Sequence, residues 1–255
     1  MDPILLLKVF ILSLIQGFTE FFPVSSSGHL VLFQSLLNFK DIPLIYDIFF
    51  HMGTLLAVVI YFFSDLKELT LHFYKRKNFH FILLIITASI PTAIIGLFFK
   101  HPLESLFDKP EMIGYMLIVT AIFLFFSKYV RFPKINDFVS AFIIGFFQGI
   151  AIIPGISRSG FTISVALILS LGYLFSFRFS FILSIPAILG AVVLEFNDIP
   201  FKSEHMGYLI TGAVLSALFG IIALSILKKI VLKEKFHYFA YYCLIAAIVS
   251  FVFVK

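Results

Sequence analysis

Six stretches of this sequence run apolar for about 20 residues, at roughly 44–63, 80–99, 112–127, 177–196, 207–227 and 237–254. That is the length an α-helix needs to cross a hydrocarbon core about 30 Å thick. Two more apolar regions, 3–38 and 138–175, behave differently, because each is interrupted near its middle by Pro, Gly and Ser. The first run of each holds about 15 to 18 residues and the second about 11 to 15, short for a full span. The pattern predicts an all-α polytopic membrane protein with six transmembrane helices plus two re-entrant helical hairpins. The N-terminal run does not read as a signal peptide: it lacks a basic leading region, carries Lys8 and has no small-residue cleavage pattern.

Composition narrows the class. Of the 255 residues 61% are hydrophobic and 13% charged, where a soluble domain carries about 25% charged residues. Mean hydropathy is +1.08. A water-facing surface needs more polar side chains than this chain owns, which excludes a soluble enzyme, a secreted disulfide scaffold and a disordered protein. The single cysteine, Cys243, forms no internal disulfide and lies in an apolar run. The net charge of +5 is spread along the chain among 18% aromatics, a poor fit to nucleic acid and a better one to basic loops beside a bilayer. The 36 phenylalanines serve lipid-facing and packing positions.

Charge also sets orientation. The connections 64–79, 128–137 and 228–236 carry eleven Lys and Arg residues, whereas 38–43, 100–111 and 196–206 hold only Lys40, Lys100, Lys109 and Lys202. The positive-inside rule places the first set in the cytoplasm and the C-terminus outside. Region 3–38 then starts and ends on the outer side, and region 138–175 on the cytoplasmic side. As re-entrant hairpins they enter from opposite faces and their tips can meet. If each half spans instead, the parity is unchanged.

The interrupted regions resemble each other. Gln16-Gly17 is matched by Gln148-Gly149, and twelve residues after each glutamine comes Ser27-Gly28 or Ser159-Gly160, with Pro23 and Pro154 between. A weaker echo pairs Ser89-Ile90-Pro91 with Ser184-Ile185-Pro186. The repeat divides a single integral membrane domain, 1–255, into halves of about 1–130 and 131–255 with inverted topology. Interrupted helices in inverted repeats build polar sites near the membrane midplane. Recurring small residues at helix contacts are the simpler alternative.

Candidate chemistry gathers at the interruptions. Glu20-Phe-Phe-Pro-Val-Ser-Ser-Ser-Gly-His29 holds an acid, three hydroxyls and an imidazole; its counterpart is Pro154-Gly-Ile-Ser-Arg-Ser-Gly160. An ionised side chain at membrane depth costs several kcal/mol unless paired or watered, so Glu20 and Arg158 are functional candidates. Arg158 presents a planar fork suited to phosphate. Ser25, Ser27, Ser157, Ser159 and Gly160 can aim hydroxyls and backbone N–H groups at anionic oxygens at helix N-termini. A carboxylate beside phosphate is repulsive unless a cation bridges them, so Glu20 implies a hard divalent ion such as Mg²⁺. His29, three residues from Ser26, is placed to serve as acid or base. Each has a plainer alternative: Glu20 and Arg158 as a structural ion pair, the serines as helix caps, His29 as a hydrogen-bonded core residue. Gln16, one turn before Glu20, contacts substrate or packs. Asp47 and His51, also one turn apart, orient a catalytic group or satisfy each other. His72, His80, His101 and His205 sit at loop edges and carry little signal.

Gln16 through His29 resembles the first signature of the undecaprenyl-pyrophosphate phosphatase family of the bacitracin-resistance type, and Pro154 through Gly160 its second. Asp47–Val59 and Phe179–Ala191 resemble further family segments, so the likeness runs through nearly the whole chain. The family's first position is Glu or Gln; here it is Gln16, which leaves Glu20 as the main anionic ligand. The resemblance implies hydrolysis of a C55 polyprenyl pyrophosphate to its monophosphate and inorganic phosphate, recycling the lipid carrier of peptidoglycan and other envelope polymers. It implies a multi-pass protein of the bacterial inner (plasma) membrane, its active site facing the outer side. It implies that Glu20 binds Mg²⁺ or Ca²⁺, that Arg158 holds the pyrophosphate, and that Ser26 acts as nucleophile with His29 assisting. The expected partners are the prenyl substrate and membrane lipids, not nucleic acid, with a homodimer one assembly left open. Type-2 phosphatidic acid phosphatases share the Ser-Gly-His and Ser-Arg fragments, but that family needs a His six residues after the Arg, where this chain has Ser164. A polyprenyl-phosphate flippase using the same inverted-repeat site is the non-enzymatic alternative.

Overall fold

The computed structural model of the chain describes residues 2–36, 45–99, 111–196 and 206–253. Among them every regular element is helical: α1 (Pro3–Thr19), α2 (Ser26–Leu36), α3 (Ile45–Tyr61), α4 (Phe63–Leu71), α5 (Arg76–Phe98), α6 (Met112–Tyr129), α7 (Asp137–Ile150), α8 (Arg158–Ile168), α9 (Tyr173–Phe196), α10 (Met206–Leu232) and, after a 3₁₀ turn at Phe236–Tyr238, α11 (Phe239–Phe253). The starts are capped by side chains the sequence supplies. Asp2 accepts from Ile4 N–H at 3.0 Å with Pro3 opening α1, and Asn136 accepts from Phe138 N–H at 2.9 Å ahead of α7, each satisfying an orphan donor of the first turn.

By length and composition, α5, α6, α9 and α10 can each cross a membrane, and α3 with α4 makes a fifth candidate. These four long helices contain the predicted runs 80–99, 112–127, 177–196 and 207–227 almost entirely. The run 44–63 becomes the 17-residue α3, which turns by 68° into α4. The turn falls where Asp65, Lys67 and Glu68 leave the apolar stretch, and charges do not follow a helix into hydrocarbon. The run 237–254 becomes the 3₁₀ turn plus the 15-residue α11. The predicted outer connections with Lys40, Lys100, Lys109 and Lys202, and with them His101 and His205, lie outside the described residues.

Both interrupted regions form a short helix, an irregular tip and a second short helix: α1 and α2 around residues 20–25, α7 and α8 around 151–157. Each lead helix packs on a long helix from the other half of the chain, α1 on α10 and α7 on α5. Glycine makes both contacts close, since lipid supplies no hydrophobic drive and association rests on packing. A Cβ at Gly17 would meet Phe219 Cβ at 2.5 Å, and one at Gly145 would meet the Ala88 carbonyl oxygen at 1.9 Å. Thr92 reinforces the second contact by donating to the Gly145 carbonyl at 2.8 Å. Gly145→Val must therefore push α5 and α7 apart. We expect a loss of about 2 kcal/mol or more, read as a lower unfolding midpoint in detergent; an unchanged midpoint would disprove the close backbone contact.

Candidate active site

The two tips touch. Ser25 sits in the left-handed region at φ 68°, and its hydroxyl accepts two backbone donors, Gly28 N–H at 3.3 Å and, from the other tip, Gly155 N–H at 3.1 Å. Gly28 has no Cβ to hold the tips apart; one built there would stand 3.3 Å from Gly155 Cα. Thr120 of α6 ties down the second tip, donating to the Gly155 carbonyl and accepting from Ser157 N–H, both at 3.1 Å. Ser157 caps α8 through Gly160 N–H at 3.1 Å, as Ser25 does for Gly28. Ser27 and Ser159 each lie beside the preceding cap hydroxyl, at 3.4 and 3.3 Å. The matched sequence signatures thus fold into matched local structures.

Ser26 and Arg158 are each the first residue of a helix, α2 and α8, and both converge on Glu20 from the end of α1. Ser26 Oγ donates to Glu20 Oε2 at 2.6 Å, Gln16 Nε2 donates to the same oxygen at 3.0 Å, and Arg158 Nη2 pairs with Oε1. Glu20 is only 7% exposed. A carboxylate so far from water is tolerable because cationic and neutral donors surround it. Two helix N-termini aimed at one spot add their partial positive charge there.

Two buried polar atoms at this spot lack a partner: Arg158 Nη1 and Gln16 Oε1. The first is a cationic donor awaiting an acceptor, the second an amide oxygen one turn from the carboxylate. An unmade hydrogen bond costs about 1–3 kcal/mol for a buried group, so both suit a ligand that brings anionic oxygens and a hard cation. Among the described residues no three His, Cys, Asp or Glu side chains group to hold a metal. The Glu20 carboxylate and the unpartnered Gln16 Oε1 are the oxygens here that could meet a hard cation such as Mg²⁺ or Ca²⁺, whose other ligands commonly come from water and phosphate.

The histidines divide otherwise than their spacing suggests. His29 is buried, with Nδ1–H donating to the Ser25 carbonyl at 2.8 Å and Nε2 bonded to the Tyr242 hydroxyl at 2.8 Å, its ring stacked on Tyr242. Its nitrogens are thus occupied away from Ser26 and Glu20. The imidazole at the carboxylate is His51 of α3, its Nε2 3.6 Å from Glu20 Oε2. His51 Nδ1 bonds the backbone carbonyl of Asp47 at 2.7 Å, which must accept, so the other nitrogen is the one facing Glu20. The i, i+4 spacing of Asp47 and His51 was the available signal for this residue. For Tyr242, which lies 213 residues from His29 on an apolar helix, there was none.

The chain is similar to known proteins along nearly its whole length. The family described as bacitracin resistance protein BacA matches residues 9–249. An undecaprenyl-diphosphatase of Halothermothrix orenii is 41% identical, covering 94% of this chain and 95% of its own. One of Desulfatibacillum aliphaticivorans is 40% identical over 93% and 94% of the two chains, and one of Methanosphaera stadtmanae 36% identical over 97% of each. Both signatures lie inside the matched span, and the chain belongs to the bacitracin resistance protein BacA family.

Proposed function

We propose that this chain is an undecaprenyl-diphosphatase, hydrolysing undecaprenyl pyrophosphate to undecaprenyl phosphate and inorganic phosphate. The observation that carries the assignment is Arg158: one guanidinium nitrogen holds Glu20 while the other is buried without a partner. That leaves one cationic donor prepared for a phosphate oxygen while the same fork holds the carboxylate.

In the proposed reaction Arg158 Nη1 and the converging N-termini of α2 and α8 receive the terminal phosphoryl group. Ser26 Oγ attacks its phosphorus and passes its proton to Glu20 Oε2, the atom it already donates to at 2.6 Å. The bond to the bridging oxygen breaks and undecaprenyl phosphate departs with the electron pair; water then attacks the phosphoserine, the bond from phosphorus to Ser26 Oγ breaks, Oγ takes back the proton held on Glu20, and inorganic phosphate leaves with the proton the water brought. Glu20 and Gln16 Oε1 would hold Mg²⁺ or Ca²⁺, and such an ion would neutralise phosphoryl charge. His51 holds the carboxylate in position. His29, tied to Tyr242, braces the start of α2. Accordingly His51→Asn should lower kcat about tenfold or more, whereas Tyr242→Phe should change it less than about threefold; the reverse order would return His29 to the chemistry.

The fold that frames this reaction is six spans plus two re-entrant hairpins in an inverted repeat, within the bacterial inner membrane and with the site on its outer side. Its supports are the matched Ser–Gly caps, the crossed packing of α1 and α7, and the loop charges. With Cys243 buried, Tyr74→Cys, at a position 69% exposed, should be labelled by a membrane-impermeant maleimide only from the cytoplasmic side. Labelling from outside would invert the topology. The function itself is tested with purified protein in detergent, Mg²⁺ and undecaprenyl pyrophosphate: phosphate release is expected, and none from folded protein would overturn the assignment.

A further inference from the structure

Thr120 stands near the middle of α6, a helix that lies outside both signatures, and it is fully buried. A threonine within a helix commonly returns its hydroxyl to the carbonyl four residues back, as Thr19, Thr87 and Thr211 do here toward Ile15, Leu83 and Gly207. Thr120 instead reaches out of its helix. Its one proton goes to the Gly155 carbonyl and its oxygen accepts from Ser157 N–H, both at 3.1 Å. The hydroxyl thus holds both sides of the last turn of the second tip, and the next residue in the chain is Arg158.

We propose that Thr120 is a positioning residue for the hydrolysis, fixing the second tip so that the Arg158 guanidinium meets Glu20 and the phosphoryl group together; this rests on the phosphatase assignment. Gly155 carries the first part of the argument. Its N–H donates to Ser25 Oγ of the first tip and its carbonyl takes the Thr120 proton, so Thr120 anchors the residue through which the tips meet. Ser157 carries the second. Its hydroxyl caps Gly160 N–H, its carbonyl accepts from Phe161 N–H at 2.8 Å, and its own N–H, a donor that a helix start leaves over, goes to Thr120. With all three polar groups held, the chain enters α8 at one angle, and that angle aims Arg158. Packing carries the third. A Cβ at Gly155 would meet Met116 Cβ at 2.6 Å and the Ile113 carbonyl oxygen at 2.8 Å. Phe123 lies against Phe161 of α8 with ring centroids 4.3 Å apart. Ile113, Met116, Thr120 and Phe123 recur at helical spacing, so one stripe of α6 carries the tip and the start of α8. Apolar contact along that stripe sets distance, and the directional bonds of Thr120 set register.

Thr120→Val keeps the shape of the side chain and deletes both bonds. Phosphate release from undecaprenyl pyrophosphate is measured in detergent with Mg²⁺ and expressed per folded protein, with the unfolding midpoint taken alongside. Misplacing a reacting group by about 1 Å can cost 10²-fold, so kcat should fall about tenfold or more. Thr120→Ser, which keeps the hydroxyl, should stay within about threefold of wild type. The deciding readout is the same valine change in an Arg158→Lys background. A residue that acts through the guanidinium has little left to position there, so the change should cost less than about twofold. A merely structural role would cost the same factor in both backgrounds, and that result overturns the proposal. So does a valine variant with wild-type kcat, or a serine variant as slow as the valine one. If Thr120→Val does not fold, Thr120→Cys, whose thiol donates and accepts weakly, takes its place in the same cycle and is read by the same outcomes. No phosphate release from folded wild type would strike the phosphatase assignment instead.

Discussion

Arg158→Ala is expected to lower phosphate release from undecaprenyl pyrophosphate by about 10³-fold, measured as released phosphate at saturating substrate. The size follows from what the guanidinium does at once. Nη2 neutralises Glu20 and Nη1 is held buried without an acceptor, so the donor is preorganised for charge that develops on the phosphoryl oxygens. Removing it also leaves Glu20 buried and unpaired, a loss of about 3–5 kcal/mol in stability. A folded fraction must therefore be measured alongside the rate. Arg158→Lys separates the two effects. A lysine can keep the charge beside Glu20 and spare most of the stability, but its single ammonium cannot pair the carboxylate and a phosphate in the same planar geometry. Its rate should stay at least about 10²-fold down. A lysine variant with more than a tenth of wild-type turnover would show that only the charge matters and that the unpartnered nitrogen has no catalytic role.

Much of this site is legible in the sequence, for a physical reason: in a chain this apolar, polar residues away from the loops stand out against their surroundings. Glu20, Ser26 and Arg158 were set apart by that contrast, the shared spacing of their flanking glutamines and Ser–Gly pairs marked the repeat, and the loop charges let two re-entrant hairpins enter from opposite faces so that their tips can meet. Gly155 N–H on Ser25 Oγ is that meeting. His29 shows where the inference stops. Three residues along a helix start brings a side chain near Ser26 in principle, but the rotamer follows hydrogen-bonding partners, and His29 found the Ser25 carbonyl and a tyrosine from the far end of the chain. His51 is brought to Glu20 by the packing of α3 on neighbouring helices, which no local pattern encodes. The spans divide similarly. Hydropathy places α5, α6, α9 and α10 because each is one continuous helix. It ends the run 44–63 where Asp65, Lys67 and Glu68 begin, but a change of composition does not say that the chain continues as a helix turned by 68°.

Glu20→Gln is the complementary experiment, and its double mutant decides whether the ion pair is structural or chemical. The single change should reduce phosphate release by about 10³-fold, within the range removed with one essential group, and should abolish any response of the residual rate to added Mg²⁺. Four side chains make Glu20 the hub of the site: Gln16, Ser26, His51 and Arg158 all reach its two oxygens. A glutamine there keeps the volume but loses the base for Ser26 and the anionic cation ligand, and it leaves Arg158 as an uncompensated buried charge. Stability falls in this variant for the same reason that it falls in Arg158→Ala. In Glu20→Gln/Arg158→Gln no charge is left to be orphaned and two amides of similar reach can bond each other, so the unfolding midpoint should recover most of the single-mutant loss. Turnover should not recover. If the pair only stapled the two tips together, catalysis would return with stability in the neutral pair. Rescue of the fold without rescue of phosphate release would place Glu20 and Arg158 in the reaction itself.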